Sequence, residues 1–459
     1  MHRLPHSHSC RIASLAIVAA MGSLALPARA ADGNLDPTFS GDGKALFDII
    51  DGQFNETGYY VRGLPDGASI VAGHVASRQA LLKVRANGTL DTAFGVNGWA
   101  LDLFGSYLSL AGLEIAGDGK ILVVGSDYAT QITAIARLLA DGTPDPDFGT
   151  GGIVEITDAP VTGSAYFVAQ GATLDSAGRL LVAGYCRSNP CAGLGTMITR
   201  RDAEGDPDPE FGSAGWAAFS PSLSNNVISC SGAWSCLDNP IEADSDGGLF
   251  YGGALSLEIL RVDAFGDSVS TFGGDGLVEL NLAFVGIEAL EHDPVSGALY
   301  VAMISGAFAD GDMATGVARL LPNGELDTQY GFLGLSNLTL GSGSWILDLE
   351  LQSDGKLLAV GVLDATGVEE GQFLLARLDS DGLLDPTFDG NGWATYDFDL
   401  TASGKDIANA VALVGGRAVA VGVAENNNSG SGGAIAVVRT QSTLIFTDDF
   451  ERHSLSAWR

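Results

Sequence analysis

The chain has 459 residues, 63 of them Gly, with 56 Asp+Glu against 23 Lys+Arg and a formal net charge of −33. Such acidity excludes an ordinary nucleic-acid binder, which must neutralise phosphates, and argues equally against an anionic membrane surface as partner. A hydrophobic content of 46% excludes a largely disordered chain, and the Gly residues lack the three-residue period of collagen.

Arg3 and Arg11 flank a polar start, residues 12–26 are nearly all apolar, and Ala28-Arg29-Ala30 supplies small residues where a signal peptidase reads them. Residues 1–30 are therefore expected to be a secretory signal peptide cleaved after Ala30. The apolar run is shorter than the roughly twenty residues needed to span a bilayer, and no second long apolar run follows, so no membrane span is expected. The mature chain would keep all 56 acids and 20 Lys+Arg, a net charge of −36, with His74, His292 and His453 its only histidines. Four cysteines remain: Cys186, Cys191, Cys230 and Cys236. An even count in an exported chain points to two disulfides, local pairing being the simplest of three connectivities.

From residue 33 onward a motif recurs, Gly-x-Leu-Asp-x-x-Phe followed by a Gly-rich turn. It reads Gly33-Asn-Leu-Asp36-Pro-Thr-Phe39 and Gly88-Thr-Leu-Asp91-Thr-Ala-Phe94, with variants at 142–148, 205–211, 266–272, 324–330 and 382–388. Successive aromatic positions lie 55, 54, 63, 61, 58 and 58 residues apart, a period that means a repeat architecture. Between copies sits a turn, a short apolar strand and a Gly, clearest as Asp118-Gly119-Lys120-Ile-Leu-Val-Val-Gly125. A third strand carries a cation five residues before the next motif Gly: Lys83, Arg137, Arg200, Arg261, Arg319 and Arg377, with Arg439 ending a similar strand.

Each unit then holds four short strands separated by Gly-containing turns; in one unit they are expected near residues 99–104, 110–115, 121–125 and 133–139. Four strands per repeat of this length is the grammar of a β-propeller blade, whose two faces must be covered by neighbouring blades. The expected fold is all-β: a seven-bladed β-propeller of four-stranded antiparallel blades over residues 31–440. The last unit lacks its motif, and the first motif copy lacks a preceding blade. Joining them closes the ring through a last blade shared by the N- and C-terminal segments and removes a free sheet edge.

The paired motifs resemble the delta-60 repeat, a bacterial propeller repeat of uncharacterised function, over roughly residues 33–440. The fifth copy departs from it, with Ser268 and Val269 for Leu and Asp, and the sixth has Tyr330 for Phe. The resemblance implies a secreted or surface-exposed propeller without a defined reaction.

The motif aromatics read as core residues between blades. The motif Asp reads as a turn cap, with the strand cation pairing either with it or with the Asp of a neighbouring blade. Repetition at every unit marks these residues as architecture, because a site needs asymmetry. No catalytic residue is assigned: the three histidines are isolated and no Gly-x-Ser-x-Gly elbow is present. Calcium is the one cofactor candidate, at Asp379, Asp381 and Asp385, which resemble a shortened calcium loop that also coincides with an ordinary repeat turn.

In a four-stranded meander both recurrent turns fall on one face and the variable connections on the other. Variable loops on a rigid scaffold are where function usually sits. Tyr128, Tyr185, Trp234 and Phe308 are therefore the ligand-face candidates, able to stack on a sugar or peptide or to pack locally. Residues 441–459 break the repeat and resemble a short tail found on exported proteins of Gram-negative bacteria, serving as a sorting element or packing on the propeller. The expectation is a monomeric, non-enzymatic exported propeller binding a protein or glycan, secreted, periplasmic or at the cell surface. A carbohydrate-active enzyme with acids at the central channel and a structural envelope component stand as alternatives.

Overall fold

The computed structural model describes residues 33–441 apart from 50–55, 76–77, 105–108, 128, 162–164, 188–194, 221–239, 255, 306–313, 339, 341–342, 364–370, 399, 401–403 and 426–432. Every regular element among them is a β-strand. The chain starts with β1 (Lys44–Phe47). Blade 1 follows as β2 (Glu56–Gly63), β3 (Ser69–Val75), β4 (Arg78–Val84) and β5 (Trp99–Leu101). Blade 2 is β6 (Ser109–Ile115), β7 (Ile121–Asp127), β8 (Ile132–Leu138) and β9 (Ile153–Glu155). Blade 3 is β10 (Tyr166–Leu174), β11 (Leu180–Arg187), β12 (Thr196–Arg201) and β13 (Trp216–Phe219). Blade 4 is β14 (Ile241–Ala243), β15 (Leu249–Gly252), β16 (Glu258–Val262) and β17 (Leu277–Glu279). Blade 5 is β18 (Gly286–His292), β19 (Leu299–Ser305), β20 (Ala314–Leu320) and β21 (Leu335–Asn337). Blade 6 is β22 (Ser344–Leu351), β23 (Leu357–Leu363), β24 (Gln372–Leu378) and β25 (Trp393–Tyr396). The chain ends in β26 (Asp406–Val414), β27 (Arg417–Glu425) and β28 (Gly433–Arg439).

Each blade is an antiparallel meander, and the seventh has the order β1-β28-β27-β26. Its outermost strand is the first strand of the chain, with Lys44 opposite Val438 and Phe47 opposite Ile435. This is the seven-bladed ring expected from the motif, closed from both ends. The outer strands are shorter than the sequence suggests: β5 stops at Leu101, where Asp102 turns the chain at φ +54°.

The motifs have direct steric causes. All seven motif aromatics, Phe39, Phe94, Phe148, Phe211, Phe272, Tyr330 and Phe388, are buried. The motif Gly of the next blade sits on several of these rings. A Cβ on Gly142, at φ +81°, would lie 2.7 Å from Phe94, and one on Gly382 would lie 2.8 Å from Tyr330. Only Gly allows that approach and that backbone. The Gly ending the second motif answers a different constraint. The inner strand of six blades carries a β-bulge. In four of them it aims a carbonyl at the facing Gly: a Cβ on Gly73, Gly184, Gly361 or Gly422 would stand 1.8–2.0 Å from an inner-strand oxygen.

Candidate functional site

Two charged arrangements arise from this framework. The first is repeated. Asp145 Oδ1 accepts from the Asp147 backbone N–H at 3.0 Å, capping its turn, and Oδ2 accepts from Arg137 Nε at 2.7 Å. The same pairing holds Arg200 to Asp208 at 2.9 Å, Arg319 to Asp327 at 2.9 Å, Arg377 to Asp385 at 2.8 Å and Arg439 to Asp36 at 2.9 Å. Each of these guanidiniums also stacks on its own motif aromatic, as Arg137 does at 4.3 Å from the Phe148 ring centre. Most reach a carbonyl of the following blade: Ala203, Ala264, Ser380 and, across the closure, Ala86. A second cation from the first turn joins at Asp36 (Arg417, 3.1 Å), Asp145 (Lys120, 3.2 Å), Asp208 (Arg179, 3.2 Å) and Asp385 (Lys356, 2.8 Å). Burial opposes ionisation of these carboxyls, yet turn N–H groups and neighbouring cations hold Asp36, Asp145, Asp208 and Asp385 below the usual carboxylate range. In blade 4, where Val269 replaces the Asp, Arg261 turns to Asp244 of the first turn at 2.7 Å. Turn capping and cation pairing are thus both realised, as expected from the sequence.

The second arrangement is asymmetric. Strand register places Arg62, Glu114, Thr173, Glu242, Glu291, Glu350 and Ala412 at one level of the seven inner strands. Glu242, on blade 4, feels the charges of Glu114 on blade 2, Arg62 on blade 1 and Glu350 and Asp348 on blade 6. Residues so far apart around a ring meet only at its centre, so this level lines the central channel. Arg62 donates to Glu114 at 2.8 Å. Glu291 accepts from the Leu351 N–H of the next blade at 2.9 Å. Asp348 accepts from Leu349 N–H and from Val411 N–H of blade 7, each at 2.9 Å. Glu288 stands at the bulge of β18 beside Trp345.

The charged side chains here are half-buried, so the surrounding strands withhold much of their hydration, while Thr173 and Ala412 are buried. Desolvation, reinforced by neighbouring acids, pushes the Glu242 carboxyl up to about 8. Desolvation does the same at Glu288, to about 8, and lifts Asp348 to about 6. Glu291 is also raised well above its ordinary value by burial and by Glu242 and Glu350. The layer therefore offers protonated carboxyl donors, carboxylate acceptors and one guanidinium within a narrow band of the channel. Its members look unrelated in sequence. A signal existed: each lies opposite the residue three before the closing Gly of the second motif, or that position's counterpart.

The residues singled out from sequence fall elsewhere. Tyr185 is a correction: it lies within β11, opposite Val168 and Thr196, and is only 5% exposed, so it packs inside the blade and offers no ring to a ligand. Tyr128, Trp234 and Phe308 lie outside the described residues. Cys186, in β11, is disulfide-bonded, while Cys191, Cys230 and Cys236 lie outside the described residues and leave the connectivity open. Asp379, Asp381 and Asp385 do not converge. Asp379 Oδ1 caps the Asp381 and Leu383 N–H groups, and Asp385 is engaged by Arg377 and Lys356. Among the described residues no group of three or more acids, His or Cys is arranged to hold a metal. Nor is any described helix long and apolar enough to cross a membrane.

Residues 116–148 and 352–388 match a family described as "Domain of unknown function (DUF5122) beta-propeller". The two segments run from the first turn to the motif aromatic of blades 2 and 6, so the match supports a β-propeller repeat family. No curated protein matches. Among solved structures, a Dos1 propeller is similar at 11% identity and TM-score 0.37, over 66% of this chain and 65% of that one. A quinoprotein alcohol dehydrogenase-like protein from Bacteroides thetaiotaomicron is similar at 12% and 0.35, over 61% and 55%. The Nup133 β-propeller domain of Vanderwaltozyma polyspora is similar at 8% and 0.43, over 86% and 97%. The chain thus spans less than two thirds of the first two, and nothing of their chemistry is transferred to it.

Proposed function

We propose that the protein is an exported, monomeric, non-enzymatic binding scaffold, secreted, periplasmic or at the surface of a Gram-negative bacterium, whose recognition centre is the channel layer. One observation carries this reading. At a register where a repeat would permit seven identical residues, the chain places one Arg, four Glu, one Thr and one Ala. Function needs such asymmetry and architecture does not. Donors and acceptors of both kinds suit hydroxyl groups, which themselves donate and accept, so the partner is a glycan segment entering the channel. Export rests on the N-terminal sequence and on the delta-60 resemblance, and fits the bonded state of Cys186.

The test is titration calorimetry of the purified mature protein against a glycan panel, with and without EDTA. Saturable binding is expected, indifferent to EDTA and weakened at least tenfold by Glu242→Gln with Glu291→Gln. Binding that survives both substitutions removes the channel from the reading. A second reading, a carbohydrate-active enzyme, is favoured by the raised carboxyls of Glu242 and Glu291 beside Glu114 and Glu350, since one acid and one base serve glycoside chemistry. It requires turnover that a single Glu242→Gln abolishes while binding persists.

A further inference from the structure

The recurrent turns are polar in most blades and apolar in one sector. After the motif aromatic, the second and third residues are Gly41-Asp42, Val96-Asn97, Thr150-Gly151, Ser213-Ala214, Gly274-Asp275 and Gly390-Asn391, but Phe332-Leu333 in blade 5. Before the motif Gly stand Asn87, Asp141, Glu204, Asn323 and Asp381, but Phe265 in blade 4. After it stand Asn34, Thr89, Thr143, Asp206, Asp267 and Glu325, but Leu383 in blade 6. All four are exposed: Phe332 at 81%, Leu333 at 64%, Phe265 at 66% and Leu383 at 60%. Leu333 holds φ +55°, a left-handed conformation that Leu adopts at a cost. Val295, in the first turn of blade 5, adds a fifth, and its turn abuts Pro322 through Gly297.

Phe332 and Leu383 adjoin through the turns that carry them, whereas Phe265 O accepts from Gly212 N–H of blade 3 at 2.6 Å and lies at the far margin of the sector. Gly331 N–H donates to Asp381 O at 2.6 Å, which brings Phe332 beside the turn of Leu383. Gly273 N–H donates to Asn323 O at 3.0 Å, which joins blade 4 to blade 5. An exposed apolar sector centred on blades 5 and 6 of a mostly polar face, where Val96 on blade 1 stands apart, marks an interaction surface.

We propose that this sector is the docking surface for the chain's own C-terminal segment, residues 442–459. Strand β28 runs toward this same face, and Gln441 is tied there by its N–H to Asn34 O at 2.7 Å and by Nε2 to Leu35 O at 2.9 Å. Gly33, next in the chain, packs against Phe388 and Asp389 of blade 6, so the segment departs beside the sector's edge. It carries Leu444, Ile445, Phe446, Phe450, Leu455 and Trp458, and extended it would reach about 60 Å at roughly 3.3 Å per residue. A tethered segment also has the advantage of a millimolar-scale effective concentration. A second copy of the chain, by contrast, brings a net charge of −33 against the same charge. This surface is independent of the channel reading.

The experiment is timed trypsin digestion of the full mature chain, following release of residues 453–459 by cleavage after Arg452. The wild type is compared with Phe332→Asp/Leu383→Asp and with Val96→Asp, a control on blade 1. All three substituted side chains are exposed, so each variant should keep the wild-type Tm, which is checked first. Release at least tenfold faster in the double variant, with Val96→Asp unchanged, supports docking. Equal rates in wild type and double variant overturn it, as does equal acceleration by Val96→Asp. A wild-type dimer in sedimentation that the double variant loses, with no change in release, assigns the sector to a second copy and also overturns it.

Discussion

Asp385 shows how much one motif residue does. It caps its own turn at Thr387, receives Arg377 and Lys356 at 2.8 Å each, and is buried beside Phe388. Replacing it by Ala would leave a buried guanidinium without its carboxylate, a loss of about 3–5 kcal/mol. The expected outcome is a lower denaturant midpoint with an unchanged slope. The exception in blade 4 supplies a sharper check. There Asp244 substitutes for the missing motif Asp, so Asp244→Ala should destabilise by about 3 kcal/mol, at the lower end of that range. Val269→Asp, which rebuilds the motif acid, should recover at least half of that loss in the double variant. No recovery would mean that Arg261 cannot reach the motif position. Gly142→Ala should cost more than about 1 kcal/mol, because its Cβ meets Phe94 and its φ is +81°.

Closure is the element-scale feature with the most at stake. β1 completes blade 7, and Asp36 just before it neutralises Arg439 and Arg417. A chain begun at Lys44 would lack Asp36 and Phe39, and the loss should stay local, since repeat blades depend mainly on their neighbours. Hydrogen exchange should show reduced protection in blades 6, 7 and 1 with blades 3 and 4 unchanged; a uniform loss would mean that the ring unfolds as one unit. The closure was legible in the sequence because a motif without a blade and a blade without a motif stand at opposite ends. The channel layer was not. Its register depends on bulges that insert one extra residue, and no motif marks the inner strands. Arg62, Glu114 and Glu242 then read as charges flanking a turn. Tyr185 misled for a related reason: β11 extends through Arg187, past the Gly taken as the strand's end, and carries the ring into the sheet. The turn network was legible because its partners recur at fixed offsets.

At the scale of the whole molecule the acids divide into two populations with opposite linkage. Asp36, Asp145, Asp208 and Asp385 ionise more readily folded than unfolded. The stability they contribute is complete above the unfolded carboxylate value of about 4 and is lost as pH falls below it. Glu242, Glu288 and Asp348, pushed up to about 8, 8 and 6, together with Glu291 and with Asp406 at about 7, bind protons more tightly folded than unfolded. What they contribute is complete below about 4 and is lost as pH rises through those folded values. Tm should therefore peak near about pH 4–5 and decline on both sides, the neutral-side decline running from there to about pH 8, where the last of these carboxyls has ionised. Calorimetric scans from pH 3 to 9 at constant ionic strength would show this. General self-repulsion of a chain at −33 also grows with pH, but it is screened when the Debye length shrinks to about 3 Å at 1 M salt. The channel contribution, enclosed by protein, should persist at that salt and flatten in Glu242→Gln/Glu291→Gln. A neutral limb that vanishes in salt and ignores those substitutions would place the pH dependence on the outer surface, and the channel carboxyls would then ionise at no cost to the fold.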